Sequence, residues 1–462
     1  MNKPAEPNLQ GIETAEAEFE ALLRERPGIG FVDAAIADSC GTLRGKRIAV
    51  ADVPALFRHG MQIPASLPLM DARGEMTNAG GHGFGDGDPD GTAWPVPGTL
   101  APVWGTTPPR AQMLMRFCRD DGAPILYDAR NMLEGVVAKF AMLGLFPVAA
   151  LELEFYLIDP ARDESGAPQP PRDPRSGGRE SALSVYGLDD LDRYGDFLAA
   201  LTAAARMQNV PVSGVSAEYG PGQFETNLRH GADMLRAADD AILLRQIVKN
   251  AALATGFHVT FMAKPYAAFV GSGQHVHVSL LDASGRNVFD NGTAEGSETL
   301  RFAAGGLAAL MDESMAIFAP NVNDYRRFAP DMFAPVNRRL GFNNRSAGLR
   351  VPISPATARR IEHRCAGADA NPYLVLAAVL SGVHHGITAR LDPGAPAVGN
   401  VSRERDSSLP ATLEDALGKM DAARVLPTYL GADAVKLYAE NKRVEMGRVD
   451  PLNPRAEYDW YL

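Results

Sequence analysis

The sequence predicts an α+β fold, an antiparallel-leaning sheet with helices packed on one face, preceded by a smaller mixed unit. Helical apolar spacing recurs over 128–144, 189–208, 232–254, 297–318 and 372–390. Short alternating segments fall between these, at 148–158, 213–217, 223–228, 257–263, 274–281, 347–353 and 359–365. Before residues 110–125 the text is less regular, which divides the chain into units of residues 1–120 and 121–462.

In chain order, residues 13–26 read as an amphipathic helix with Phe19, Leu22 and Leu23 on one face. Residues 28–70 mix short apolar runs with Gly and Pro, as small strands do. The segments 78–98 (NAGGHGFGDGDPDGTAWPVPG) and 160–181 read as loops, long enough to serve as lids or subunit contacts. The last helix of the second unit starts at Asn371, a side-chain cap, with Pro372 at the first helical position.

Composition sets the outer bounds. The 462 residues are 46% apolar and 22% charged, which excludes global disorder. A net charge of −11 argues against nucleic acid or an anionic membrane surface as the main partner. Cys40, Cys118 and Cys365 form no CxxC pair, so neither a disulfide framework nor a thiolate zinc site is expected. The polar N-terminus lacks a signal core, and the apolar run Leu374 to Val383 falls short of the roughly 20 residues of a membrane span. A cytoplasmic protein is the expectation.

The strands carry the chemistry. In LELEFYLI, Leu151, Leu153, Phe155 and Leu157 share one face, and Glu152 and Glu154 share the other. Two carboxylates on one open face repel, and a cation between them removes the conflict. In QHVHVSL the polar face holds His275, His277 and Ser279; in RRIEHRC it holds Arg360, Glu362 and Arg364, with His363 and Cys365 on the apolar side. Glu218 and Glu225 bracket a Gly-Pro-Gly turn (EYGPGQFE) that can fold both toward one point. Five glutamates and a histidine form an oxygen-rich donor set that favours Mg²⁺ or Mn²⁺ over Zn²⁺, with two ions per site. Arg327, Arg345, Arg350 and Arg364 suit phosphate oxygens or a substrate carboxylate. Metals, guanidiniums and carboxylates together indicate phosphoryl chemistry on an anionic substrate.

In order, ELEF (152–155), EYGPGQFE (218–225), GSGQHVHVS (271–279), YRRFAPDMFAPV (325–336), NRSAGLRVP (344–352) and RIEHRCAGADANPYL (360–374) resemble the glutamine synthetase family. RGKRI (45–49) resembles its N-terminal module. The resemblance implies a small N-terminal β-grasp domain, a catalytic domain of curved antiparallel sheet backed by helices, and two stacked hexameric rings with active sites between neighbouring subunits. It implies one metal on Glu154, Glu218 and Glu225 and a second on Glu152, His275 and Glu362. Gly271 then contacts the glutamate amino group, Arg327 and Arg364 hold carboxylate or phosphoryl oxygens, Arg345 and Arg350 handle phosphate, and His277 and Ser279 line the adenine pocket. The implied reaction has ATP phosphorylate the γ-carboxylate of glutamate, after which a nitrogen nucleophile displaces phosphate.

Departures from the family pattern concern the nucleophile. Ammonia-using members place a glutamate where this chain has Phe333, an acid in the first domain where it has Pro64, and an asparagine where it has Val270. Asp71 is a nearby substitute for the missing acid. Ammonium needs negative charge and hydrogen bonds, whereas an alkyl amine brings apolar surface, so the expected product is a γ-glutamylamide. For the amine itself, the Asp-rich loop 86–90 suits a polyamine and Phe333 with Trp94 suits an aryl or short alkyl amine. Glutamine synthetase proper with a displaced proton acceptor, and a non-catalytic sensor or scaffold, are the alternatives. Because Glu362 sits among like charges, Glu362→Ala is expected to cost far more activity than stability.

Overall fold

The protein is described here from a computed structural model covering residues 9–119, 122–181, 184–450, 453 and 455–462. Two mixed sheets organise it. The first contains β1 (Phe31–Ala37), β2 (Leu43–Ala49), β3 (Met61–Pro64), β4 (Asp90–Pro95), β5 (Ala101–Pro102) and β6 (Arg110–Cys118). Its order is β2-β1-β6-β4-β3, with β1 and β6 parallel and β5 beside β6. Helix Leu9–Glu25 packs Ile12, Ala15 and Phe19 into the core under this sheet.

The second sheet contains β7 (Leu145–Ile158), β8 (Val212–Ala217), β9 (Gln223–Leu228), β10 (His258–Thr260), β11 (Gln274–Asp282), β12 (Leu340–Phe342), β13 (Leu349–Val351) and β14 (Ile361–His363). Its order is β12-β13-β14-β11-β7-β9-β8, antiparallel except for β12–β13, with β10 on the end of β7. The apolar residues of β7 and β11 (Leu151, Leu153, Phe155, Val276, Val278) are fully buried against the helices. Asp128, Asp233 and Asn371 cap the helices Ala129–Ala141, Met234–Ala254 and Pro372–Ala389 with side-chain oxygens. The last is apolar enough to be a candidate membrane span by composition, but 72% of it is buried inside the protein.

The predicted helices 189–208 and 297–318 each break once, at Tyr194 and at Leu310. The segment 78–98 is not loop throughout, because Asp90–Pro95 forms β4. Gly91 marks a close approach there: a Cβ would meet the Phe117 ring at 2.8 Å. Trp94 packs on the core of the first unit, while Asp86 pairs with His82 and Asp88 accepts from Ser66, so neither the loop nor the tryptophan is committed to an amine pocket. Helices at Leu413–Asp421, Leu426–Leu430, Ala432–Arg448 and Ala456–Tyr461 complete the chain beyond the sequence expectations.

Candidate active site

The register of the second sheet gathers the acids. Glu152 lies opposite His275, Glu154 opposite Glu225, and His277 and Arg350 both opposite Glu362. Residues opposite one another across a sheet point to the same side, so β13, β14, β11, β7 and β9 present one polar face. Glu152 is central because β7 lies between β9 and β11, and two triads share it. Glu152, His277 and Glu362 have ligand atoms within 4.8 Å of one another, as do Glu152, Glu225 and His275. His275 Nδ1 is 3.3 Å from Glu152 Oε2, and His277 Nε2 is 2.8 Å from Glu152 Oε1. Glu154 stands 4.0 Å from His275 Nε2 and accepts from the Gly273 N–H at 2.7 Å.

His277 is the surprise of this geometry, because the sequence assigns it to the adenine pocket and the structure sets it among the carboxylates. Arg360 Nε donates to its Nδ1 at 3.0 Å, and its Nε2 lies 2.8 Å from Glu152 Oε1. Alternation in RRIEHRC already puts Arg360 on this face, although its partner is not readable from the sequence.

The acids divide electrostatically into two groups. Burial opposes ionisation of Glu362, yet Arg364, His277, His275 and Arg350 hold it at about 2. Arg350 donates to it at 2.7 Å and Arg364 forms a second, shorter bond. Glu152, half-buried, is held well below the usual carboxylate range by His277 and His275. By contrast, burial and then the Glu154 and Glu225 carboxylates push Glu218 up to about 8. Burial and the Glu152 and Glu154 charges raise Glu225 to about 7. Acids that repel one another strongly enough to retain protons fit a divalent cation, which satisfies all of them at once.

This division overturns the stability expectation for Glu362. It shares a triad with the Glu152 carboxylate, but it is also the centre of a buried ion-pair network with Arg350 and Arg364. Removing it leaves two guanidiniums uncompensated.

Arg327 is buried, and its side chain lies directly on the glycine loop: a Cβ on Gly271 would meet its Cγ at 2.6 Å. Its Nε, like those of Arg350 and Arg364, has no partner within the protein. Ser279 is buried two residues beyond His277 on the same face. Arg345 is not in the cluster; it stands exposed beside Phe333 on an open cavity of about 500 Å³. Phe333 is 48% exposed, has φ 62°, and stacks on Tyr219, the residue after Glu218. Tyr219 went unassigned in the sequence, where only its position inside EYGPGQFE pointed to it.

Asp71 does not join the site. Its carboxyl is fully buried; Oδ1 accepts the N–H groups of Arg73 and Glu75, and Oδ2 is 2.5 Å from Arg448. It ties a turn of the first unit to helix Ala432–Arg448.

The catalytic-domain profile of glutamine synthetase matches residues 126–461. The chain is 39% identical over 445 residues to the γ-glutamylputrescine synthetase PuuA of Escherichia coli (strain K12), covering 96% of this chain and 94% of that one. It is 35% identical to the glutamate–isopropylamine ligase of a Pseudomonas species, covering 82% and 83%. Among solved structures, a GmaS/ADP complex superposes with a TM-score of 0.80 at 28% identity, covering 96% of this chain and 99% of that one. Fold, site and relatives together define a carbon–nitrogen ligase. The chain belongs to the glutamine synthetase family.

Proposed function

We propose that the protein uses ATP to join the γ-carboxylate of glutamate to an organic amine, through γ-glutamyl phosphate, giving a γ-glutamylamide. The observation that carries this reading is the Phe333–Tyr219 stack beside Glu218, an apolar wall where an ammonia-using site needs an acid. Relatives named for putrescine, isopropylamine and ethanolamide synthesis support it.

Glu154, Glu218 and Glu225 would hold one Mg²⁺ or Mn²⁺, and Glu152, His275 and Glu362 a second, although the tight triads among the described residues are Glu152–Glu225–His275 and Glu152–His277–Glu362, without Glu154 or Glu218. Bound there, such ions supply charge neutralisation at the transferring phosphoryl group. The chain's own residues set the rest. Arg364 and Arg350, anchored on Glu362, offer their free N–H groups to phosphoryl oxygens. Arg327, laid over Gly271 and Gly273, offers its own to a carboxylate. Gly271 receives the glutamate amino group, His277 and Ser279 bound the adenine side, and Arg345 approaches from the outer loop. Phe333 and Tyr219 give the amine's carbon an apolar surface.

The same reading takes the first sheet, with its parallel β1–β6 pair and helix Leu9–Glu25, as a β-grasp domain of residues 1–120 ahead of a catalytic domain of 121–462. Assembly into two stacked hexameric rings in the cytoplasm belongs to it as well. The test is phosphate release with glutamate, ATP and Mg²⁺, comparing ammonium with putrescine, isopropylamine and ethanolamine. An organic amine is expected to have the highest kcat/KM, and ammonium in that position would defeat the proposal.

A further inference from the structure

The reaction leaves unused a cavity of about 220 Å³ between the turn at residues 40–43, helix Met234–Ala254 and the chain end at Trp460–Leu462. Three cations reach it: Arg245, Lys249 and Lys442. Lys442 is matched, with Nζ 3.0 Å from Glu445. Arg245 is buried; its Nη2 donates to the main-chain carbonyls of Ala368 and Ala370 and to the Gln274 side chain, and its Nε has no partner. Lys249, one turn further along the helix, is accessible at the same cavity. Among the described residues neither Arg245 nor Lys249 forms an ion pair.

A buried guanidinium without a carboxylate is costly, and such groups are ordinarily paired. The Asp369 carboxylate lines the cavity, with Oδ2 accepting from Asn321 at 2.9 Å and Oδ1 without a partner, so it offsets one of the two positive charges. The remaining wall is mixed, with Ile242, Phe261, Met262 and Trp460 beside Thr42, Gln246 and Tyr461. Two cations one helical turn apart, against that single acid and beside those apolar side chains, match an anion with a short carbon body.

We propose that this cavity binds a small organic carboxylate, its oxygens on Arg245 and Lys249 and its carbon chain on those apolar side chains. The site lies directly behind the catalytic glycine loop. Arg245 holds Gln274 and Ala368, the Ala368 N–H donates to Ser272 O at 3.1 Å, and the next residue, Gly273, donates to Glu154. Occupancy therefore bears on the strand that carries His275.

The experiment is calorimetric titration of the full chain with butyrate and, separately, with inorganic phosphate. Butyrate is expected to bind, to bind about tenfold more weakly to Lys249→Glu, and to bind unchanged to Arg345→Ala. Lys249 is accessible, so its substitution leaves the packing around Arg245 in place. Three results would overturn the proposal: no butyrate binding, binding lost in Arg345→Ala but kept in Lys249→Glu, or phosphate binding in place of butyrate.

Discussion

The rings of Phe333 and Tyr219 stack with centroids 4.6 Å apart and an interplanar angle of 25°. Such a pair contributes about 0.5–1.5 kcal/mol beyond simple burial. If it forms the amine's wall, Phe333→Ala and Tyr219→Ala should each lower kcat/KM for the preferred amine by up to about tenfold. Phe333→Glu should go further and raise ammonium use relative to that amine. Steady-state kinetics on the three variants decide it, and unchanged selectivity in Phe333→Glu would remove this position from the argument.

Glu362 and Glu218 should respond oppositely to neutralisation. Glu362→Gln breaks a buried pair with Arg350 and Arg364 and is expected to cost about 3–5 kcal/mol of stability as well as turnover. Glu218→Gln removes an acid that burial and two neighbouring carboxylates disfavour, so the metal-free protein should keep or gain stability while activity is lost. Denaturant unfolding in EDTA, alongside an activity assay, separates the two.

Metal binding should depend on pH in a defined direction. Glu218 and Glu225 have folded values raised to about 8 and about 7 from 4.5, so the folded metal-free protein holds protons that the unfolded chain has released. The stability they confer is complete below 4.5 and is lost as pH rises through about 7 to 8. A divalent cation takes over from those protons, so the Mg²⁺-induced rise in Tm should be larger at about pH 8.5 than at about pH 6. Thermal scans with and without Mg²⁺ at the two pH values measure it, and an equal rise at both would contradict the raised values.

Asp71→Asn should act on stability rather than on chemistry. The charge that pairs with Arg448 is lost from a fully buried position, so Tm should fall while kcat per folded molecule is retained. A loss of kcat at unchanged Tm would return Asp71 to the catalytic machinery.

What the sequence could and could not tell follows from the range of each interaction. Alternation in LELEFYLI and QHVHVSL is local, and it correctly separates Glu152, Glu154, His275 and His277 from the core-facing Leu151, Leu153, Val276 and Val278. The pairing that brings His275 against Glu152 is long-range, and so is the Tyr219–Phe333 stack; neither leaves a periodic trace. For Glu362, alternation places Arg360 and Arg364 on the same face, but whether those arginines or other carboxylates dominate depends on burial. The Asp71–Arg448 pair is hidden for a similar reason, since a partner in the final long helix is invisible from the neighbourhood of Asp71.

The pairing of β7 with β11 and β9 gives this centre something like a reading frame. Deleting one residue from the first half of β7 would carry Glu152 and Glu154 to the side where Leu151 and Leu153 now meet the helices, and would strip every neighbouring strand of its counterpart in a single step. Deleting two would restore the side but shift each partner along the ladder. Length changes within these strands are therefore far more severe than substitutions, and natural variation in chain length should collect in the connections, such as 160–181, that lie outside the ladder.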